Sequence, residues 1–196
     1  MNAITRTCLL AALWAGVNTA AIAQTEAIEL LRSPSGYFVA PVFIGQEGPY
    51  PFAPDTGASH TAIAQSLAEA HGFVSTRERL DSVQTLTAEV QAERHRLDVL
   101  TLGPYALNTV DAVVTPTPPD LELEIYGLLG RNAFAGRTIR LDYPNARLFM
   151  QAQAPDFVDA RIDPRRNVLV GAARARGVED DIVVMVDTGS PITLVN

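Results

Sequence analysis

The tripeptide Asp-Thr-Gly occurs twice, at residues 55–57 and 187–189, and each copy follows an apolar, strand-like run, "YPFA" in the first case and "VVMV" in the second. A carboxylate delivered by an apolar strand is costly unless a loop, hydrogen bonds or a partner receives it. The surroundings repeat as well. "GYFVAPVFIGQEGPYPFAPDTGASHTAI" and "NVLVGAARARGVEDDIVVMVDTGSPITLV" both run strand, polar turn, apolar strand, Asp-Thr-Gly, small residue, then Thr and aliphatic residues. An internal duplication is the simplest account, so the chain must accommodate two equivalent loops.

Period-two patterns and turn signals dominate the rest. "YFVAPVFIG" and "YPFA" flank "QEGP" as an expected hairpin that delivers Asp55 to a loop. "AIAQSLAEAHG" carries helix formers and is expected to be helical, with Gly72 as its stop. "SVQTLTAEVQAERHRLDVLTLG" reads as a long hairpin with a polar tip, "TVDAVV" as a strand, "TPTPPDLELE" as a proline-rich loop and "YGLLGRNAF" as a short turn or helix. In "TIRLDYPNARLFM", Ile139, Leu141 and Tyr143 alternate with Thr138, Arg140 and Asp142, so one face is expected to be buried, with Pro144 and Asn145 in the turn.

The first 23 residues have the pattern of an export signal: Arg6, the short apolar run "LLAALWAGV", and "AIA" ending at Ala23. The only cysteine, Cys8, falls inside it, leaving an expected mature chain with no disulfide and no thiol nucleophile. All 15 basic residues are arginine, which excludes lysine-based covalent chemistry. A net charge of -7 with no basic run argues against nucleic acid and against an anionic membrane surface once the signal is cleaved. The expected location is periplasmic or secreted. The expected organisation is a signal peptide at 1–23, a first lobe at 24–152, a linker at 153–166 where the apolar pattern lapses, and the start of a second lobe at 167–196. No counterpart of the first unit's later elements follows Asp187, so that second lobe reads as truncated.

Two carboxylates brought within about 3 Å cannot both ionise, and they share one proton. The ionised partner can take a proton from a water held between them while the protonated partner polarises a carbonyl. No metal, cofactor or covalent intermediate is needed. Glycine lets the backbone approach the carboxylate closely, and a threonine hydroxyl can brace one loop against the other.

These residues resemble the pepsin and retropepsin-like aspartic proteases. "DTGAS" at Asp55 is similar to the retroviral-type motif, "DTGS" at Asp187 to the pepsin-type motif, and "GLLGRN" to the hydrophobic-hydrophobic-glycine element that lies across the active-site loop. The order of "LTLGPYALNTVDAVV" and "RTIRLDYPNARLFM" is similar to exported bacterial members with a retropepsin-like lobe. The resemblance implies a mainly β fold: a closed β-barrel lobe with one short helix, followed by the first hairpin of a second homologous lobe. It implies an aspartic endopeptidase with Asp55 and Asp187 as catalytic pair. Thr56 and Thr188 would cross-brace the loops, Gly57 and Gly189 would occupy the tight turns, and Ser190 would hydrogen-bond the outer oxygen of Asp187, a role Ala58 cannot fill. Leu128, Leu129 and Gly130 would form the glycine element, and a hairpin near Val83 to Arg96 would be a flap over a bound peptide or unfolded protein.

Two residues depart from the family pattern. Pro54 stands before Asp55 where an aliphatic residue is usual and removes a backbone donor there. Asn132 stands where an aspartate often follows the glycine element. The alternatives are a protease-like module that binds extended peptides without cleaving them and, if no second lobe exists, a homodimer pairing Asp55 with its symmetry mate. His60, His71 and His95 match no metal-ligand spacing, and neither Ser59 nor Ser190 sits in a nucleophile elbow. Asp98, Asp111 and Asp142 are expected to be solvated, and "VEDDI" is expected to be a solvated turn facing "ARAR".

Overall fold

A computed structural model describes residues 26–33, 36–73, 80–84, 89–115, 125–150, 160–164, 168–174 and 176–190. The expected signal peptide, the proline-rich loop after Thr115, the tip of the long hairpin at 85–88 and residues 153–159 and 165–166 of the expected linker lie outside the described residues. The elements are β1 (Ala27–Glu29), β2 (Leu31–Arg32), β3 (Phe38–Ile44), β4 (Glu47–Pro54), β5 (Thr61–Ala64), α1 (Gln65–Ala70), β6 (Leu80–Gln84), β7 (Glu89–Leu102) and β8 (Tyr105–Thr115). They continue with β9 (Gly127–Leu129), a 3-10 helix (Arg131–Phe134), β10 (Ile139–Asp142), β11 (Arg147–Met150), β12 (Ala160–Asp163), β13 (Val168–Ala173) and β14 (Ile182–Met185). Among the described residues the protein is mainly β with one short α-helix.

Eight strands form a sheet in the order β2-β3-β4-β9-β5-β8-β7-β6. A further pairing of β3 with β7, through Val42↔Leu102 and Ile44↔Leu100, curls the sheet back on itself and joins β3, β4, β9, β5, β8 and β7 in a ring. Closure removes the exposed edges that open strands would present. Side chains that alternate inward along these strands fill the interior: Val42, Phe52, Ile63, Leu97, Leu100, Leu102, Leu107 and Leu129 are all buried in one core. The second sheet, β1-β11-β10, contributes Ile28, Leu148 and Met150 to that same core.

Several sequence expectations are corrected by these pairings. Ala62, Ile63 and Ala64 were expected within the helix, but they belong to β5, which pairs parallel with β8 and antiparallel with β9. Tertiary strand pairing there outweighs the helix preference of alanine. The helix therefore begins at Gln65 and ends before Gly72, whose N–H is satisfied by Glu69 O. Tyr143 was expected on the buried face of its hairpin, yet it is 48% exposed. It lies in the turn rather than on β10, and its ring meets Phe38 edge-on at 5.3 Å. Residues 160–163, expected in a linker, form β12, which pairs with β13 and through it with β14 in a three-stranded sheet.

Candidate active site

Asp55 is delivered by β4, whose end runs parallel to β9 with Phe52↔Gly127, Ala53↔Leu128 and Pro54↔Leu129 in register. The Asp55 N–H donates to Leu129 O at 2.9 Å, fixing where the strand stops and the loop starts. Successive strand N–H groups point to opposite sides, so the donor missing at Pro54 is the one facing away from β9. It also lies beyond Ala40↔Phe52, where the β3–β4 ladder ends. Pro54 consequently breaks no ladder bond, and its carbonyl remains available.

Strand β9 sits between β4 and β5, so the loop 55–60 must cross its end. Gly130 permits that crossing: a Cβ at this position would stand 2.7 Å from Thr61 N and collide with the His60 carbonyl group. Arg131 N–H then donates to Ala58 O at 3.0 Å. Leu129 is fully buried beneath the loop, while Leu128 is half-buried and packs on Val39, Ala53 and Ile125. Asn132 clamps the loop's exit. Its Oδ1 accepts from Thr61 N at 2.7 Å and Thr61 Oγ1 at 2.9 Å, and its Nδ2 donates to Asp111 O. An aspartate would have no donor for the Asp111 carbonyl, so the departure from the family pattern suits this particular neighbour.

The second Asp-Thr-Gly loop, following β14, lies against the first. Thr56 N donates to Thr188 Oγ1 at 3.0 Å, and Thr188 N donates to Thr56 Oγ1 at 3.1 Å. Each hydroxyl in turn donates to a carbonyl across the junction, Thr56 Oγ1 to Val186 O at 2.7 Å and Thr188 Oγ1 to Pro54 O at 2.9 Å. The four bonds relate the loops by near two-fold symmetry. Both glycines share it: a Cβ on Gly57 would stand 2.7 Å from Asp187 Cγ, and one on Gly189 would stand 2.6 Å from Asp55 Cγ. Only glycine leaves room for the opposite carboxylate.

Each carboxylate accepts a backbone N–H within its own loop, Asp55 Oδ1 from Ala58 at 3.0 Å and Asp187 Oδ1 from Gly189 at 2.9 Å. Burial, reinforced by the charge of Asp187 and a side-chain hydrogen bond with it, pushes the Asp55 carboxyl up to about 6, against the opposing pull of the Ala58 and Gly57 N–H groups. The arrangement can hold one proton between two carboxylates at mildly acidic pH. Tyr143 lies within the same field. Its phenol is raised first by burial and then by the Asp187 charge. Sequence reasoning placed Tyr143 on a hairpin face and Asn132 in doubt. The turn residues around Pro144 were the only available signal for the first, and the Asn-for-Asp exchange for the second.

The other polar residues singled out in the sequence lie apart from this junction or support it. Asp111 faces Arg94 at 3.8 Å and Arg96 at 3.6 Å. Asp98 is exposed, and Asp142 accepts from Asn145, which together with its neighbouring arginines holds it below the usual carboxylate range. Arg174 and Asp181, from "ARAR" and "VEDDI", pair at 3.0 Å on the exposed surface, where such a pair contributes little. His71 and His95 belong to an aromatic row with Tyr50 and Phe73, and His60 contacts Ser59 and Arg94.

The aspartyl protease family model matches residues 40–133, the span that includes β4, the Asp55 loop and the glycine element. The fold is similar to the crystal structure of a retropepsin-like aspartic protease from Rickettsia conorii, with a TM-score of 0.50 and 23% identity over 64% of this chain and 90% of that one. No curated protein matches by sequence. The matched span and the curled β-sheet are similar to those of the pepsin/retropepsin-like family.

Proposed function

We propose that the protein is an aspartic endopeptidase that hydrolyses peptide bonds with a water activated between Asp55 and Asp187. The observation that carries this reading is the reciprocal junction of the two Asp-Thr-Gly loops. Four threonine hydrogen bonds lock the loops together, and each glycine makes room for the other loop's carboxylate. The raised Asp55 carboxyl supplies the asymmetry such chemistry needs: one aspartate holds the shared proton while the other acts as base. As the water attacks, its proton passes to the ionised carboxylate and the protonated one donates toward the carbonyl oxygen. The tetrahedral species then collapses as the amine leaves with a proton.

In this reading Ser190 braces the outer oxygen of Asp187, and hairpin β6–β7 closes over an extended substrate with apolar side chains beside the scissile bond. The β13–β14 hairpin is the start of a second lobe homologous to the first. It supplies within one chain the loop that a partner copy would otherwise contribute, so a homodimer is not needed for the pairing. Residues 1–23 direct export to the periplasm or beyond.

The test is cleavage of a denatured protein by the purified mature chain between pH 3 and 7, alongside Asp55→Asn and Asp187→Asn. Cleavage that a statine peptide blocks and a chelator does not, and that either substitution abolishes, supports the proposal. A folded chain that binds the peptide without cutting it points instead to a binding module.

A further inference from the structure

Three side chains that the two-carboxylate chemistry does not use form a chain of contacts at the start of β3. Strands β3 and β4 run antiparallel with Ala40↔Phe52 in register, so Phe38, two residues earlier on β3, lies toward the end of β4 from which Asp55 emerges. Tyr143, in the turn between β10 and β11, meets the Phe38 ring edge-on at 5.3 Å, and its phenol is raised first by burial and then by the Asp187 charge. Arg32, on the outermost strand β2, pairs in register with Phe38, and its Cζ lies 5.6 Å from the centroid of the same ring. Phe38 thus links a half-exposed phenol within the field of the dyad to an exposed guanidinium one contact further along. The carboxylates nearest to them in sequence are engaged elsewhere, Glu29 with Arg147 at 2.9 Å and Asp142 with Asn145 at 2.9 and 3.0 Å. Among the described residues no carboxylate pairs with Arg32. The Phe38 face steadies the guanidinium and leaves its planar fork of N–H donors available to an incoming acceptor.

We infer that Arg32, Phe38 and Tyr143 form a specificity subsite for an acidic residue of the substrate, Arg32 holding its carboxylate while the two rings support the apolar part of the peptide between it and the scissile bond. The inference rests on the reading of the protein as an endopeptidase with Asp55 and Asp187 at its centre. An extended peptide rises about 3.3 Å per residue, so the two ring contacts correspond to a few residues of substrate. A planar guanidinium matches a carboxylate through two parallel hydrogen bonds, which makes arginine selective for that group over a neutral amide. The protein as a whole carries a net charge of -7 and repels acidic peptides, so a cation with no carboxylate beside it marks the place where such a peptide is accepted and sets its register.

The test uses the full chain and pairs of peptides identical except for Glu or Gln at one position, with that position stepped outward residue by residue on either side of an apolar scissile pair. At about pH 6, where the peptide carboxylate is ionised, one position should favour Glu over Gln by about two- to fivefold in kcat/KM, carried by KM, and the preference should shrink as salt is raised. Arg32→Gln should bring that ratio to about one and Arg32→Glu should invert it, with circular dichroism unchanged because Arg32 is exposed. Tyr143→Ser should raise KM for both members of the pair and keep their ratio above one. A ratio of one at every position in the wild type, or a Glu preference that survives Arg32→Glu, overturns the inference while cleavage itself keeps the peptidase assignment. Binding of the same peptide pairs by Asp55→Asn, read by fluorescence anisotropy, reports on the subsite without turnover and should show the same preference, lost when Arg32→Gln is added. If the wild type cleaves none of the peptides, a Glu preference in binding that Arg32→Gln removes leaves the subsite standing without the peptidase reading, and equal binding of Glu and Gln peptides overturns the subsite.

Discussion

Gly57 rests against the carboxylate of Asp187, so close that a Cβ added to it would stand 2.7 Å from Asp187 Cγ, and Gly189 bears the same relation to Asp55 at 2.6 Å. The two contacts come from residues far apart in the chain and are near-equivalent, so they define a symmetric space with room for two carboxylates and no added side-chain atom. Gly57→Ala and Gly189→Ala should each force the opposite aspartate out of position. Since small misplacements at a reacting centre cost on the order of 100-fold, each should lower kcat/KM by at least that much. Circular dichroism should show the fold retained, and the two losses should be similar in size.

The threonine junction makes a separate prediction about stability. Thr56 is buried, and Thr56→Val removes the bond to Val186 O and the acceptor for Thr188 N. Leaving those two groups unpaired should cost about 1–3 kcal/mol, read as a lowered urea midpoint. Amide exchange at Thr188 should accelerate. Thr188→Val should do the same through Thr56 N and Pro54 O. The double variant should cost less than the sum, because both changes break one network.

Asn132 should tolerate neither Leu nor Asp. Asn132→Leu leaves Thr61 N, Thr61 Oγ1 and Asp111 O without their partner, although Thr61 is fully buried, and should cost about 2–3 kcal/mol. Asn132→Asp keeps the acceptor for Thr61 but turns a lone pair toward the Asp111 carbonyl. Its destabilisation should be larger at pH 7 than at pH 3, where the acid can donate. Chemical denaturation at the two pH values distinguishes the cases.

The raised Asp55 carboxyl fixes the sign of a pH effect on stability. A carboxyl whose folded value lies above its unfolded value of 3.8 stabilises the fold fully below about 3.8, and that contribution is lost as pH rises through about 6. Relative to wild type, Asp55→Asn should therefore gain on the order of 2 kcal/mol between pH 4 and pH 8, with the wild type falling over that window and the variant flatter. Thermal melts across the range measure it. A wild type that becomes more stable from pH 4 to pH 8, relative to the variant, would contradict the burial of this carboxyl.

Much of this arrangement was legible in the sequence because it rests on local rules. The repeated Asp-Thr-Gly, the small residue after it and the apolar strand before it required two similar loops, and the period-two runs marked β3, β4, β7 and β8. What the sequence hid depends on neighbours distant in the chain. Ala62 and Ala64 look helical until β8 and β9 claim them as strand, and "GLL" is too short to show that it inserts between β4 and β5. The short "ARID" segment shows no alternation long enough to mark β12. Asn132 looked like a lost ion pair because its partners, Thr61 and the Asp111 carbonyl, come from β5 and β8. Pro54 looked damaging because the side toward which its missing donor would point is set by the pairing with β9.

The proposed mechanism requires Asp55 and Asp187 to share a proton and act as one unit. The most direct measurement is kcat/KM for a peptide substrate against pH, made on the wild type and on Asp187→Asn. The wild type should show a limb that falls as pH rises through about 6, as the shared proton is lost, and the variant no measurable cleavage. A profile level from pH 4 to 8, or cleavage with the same limb by Asp187→Asn, would contradict it.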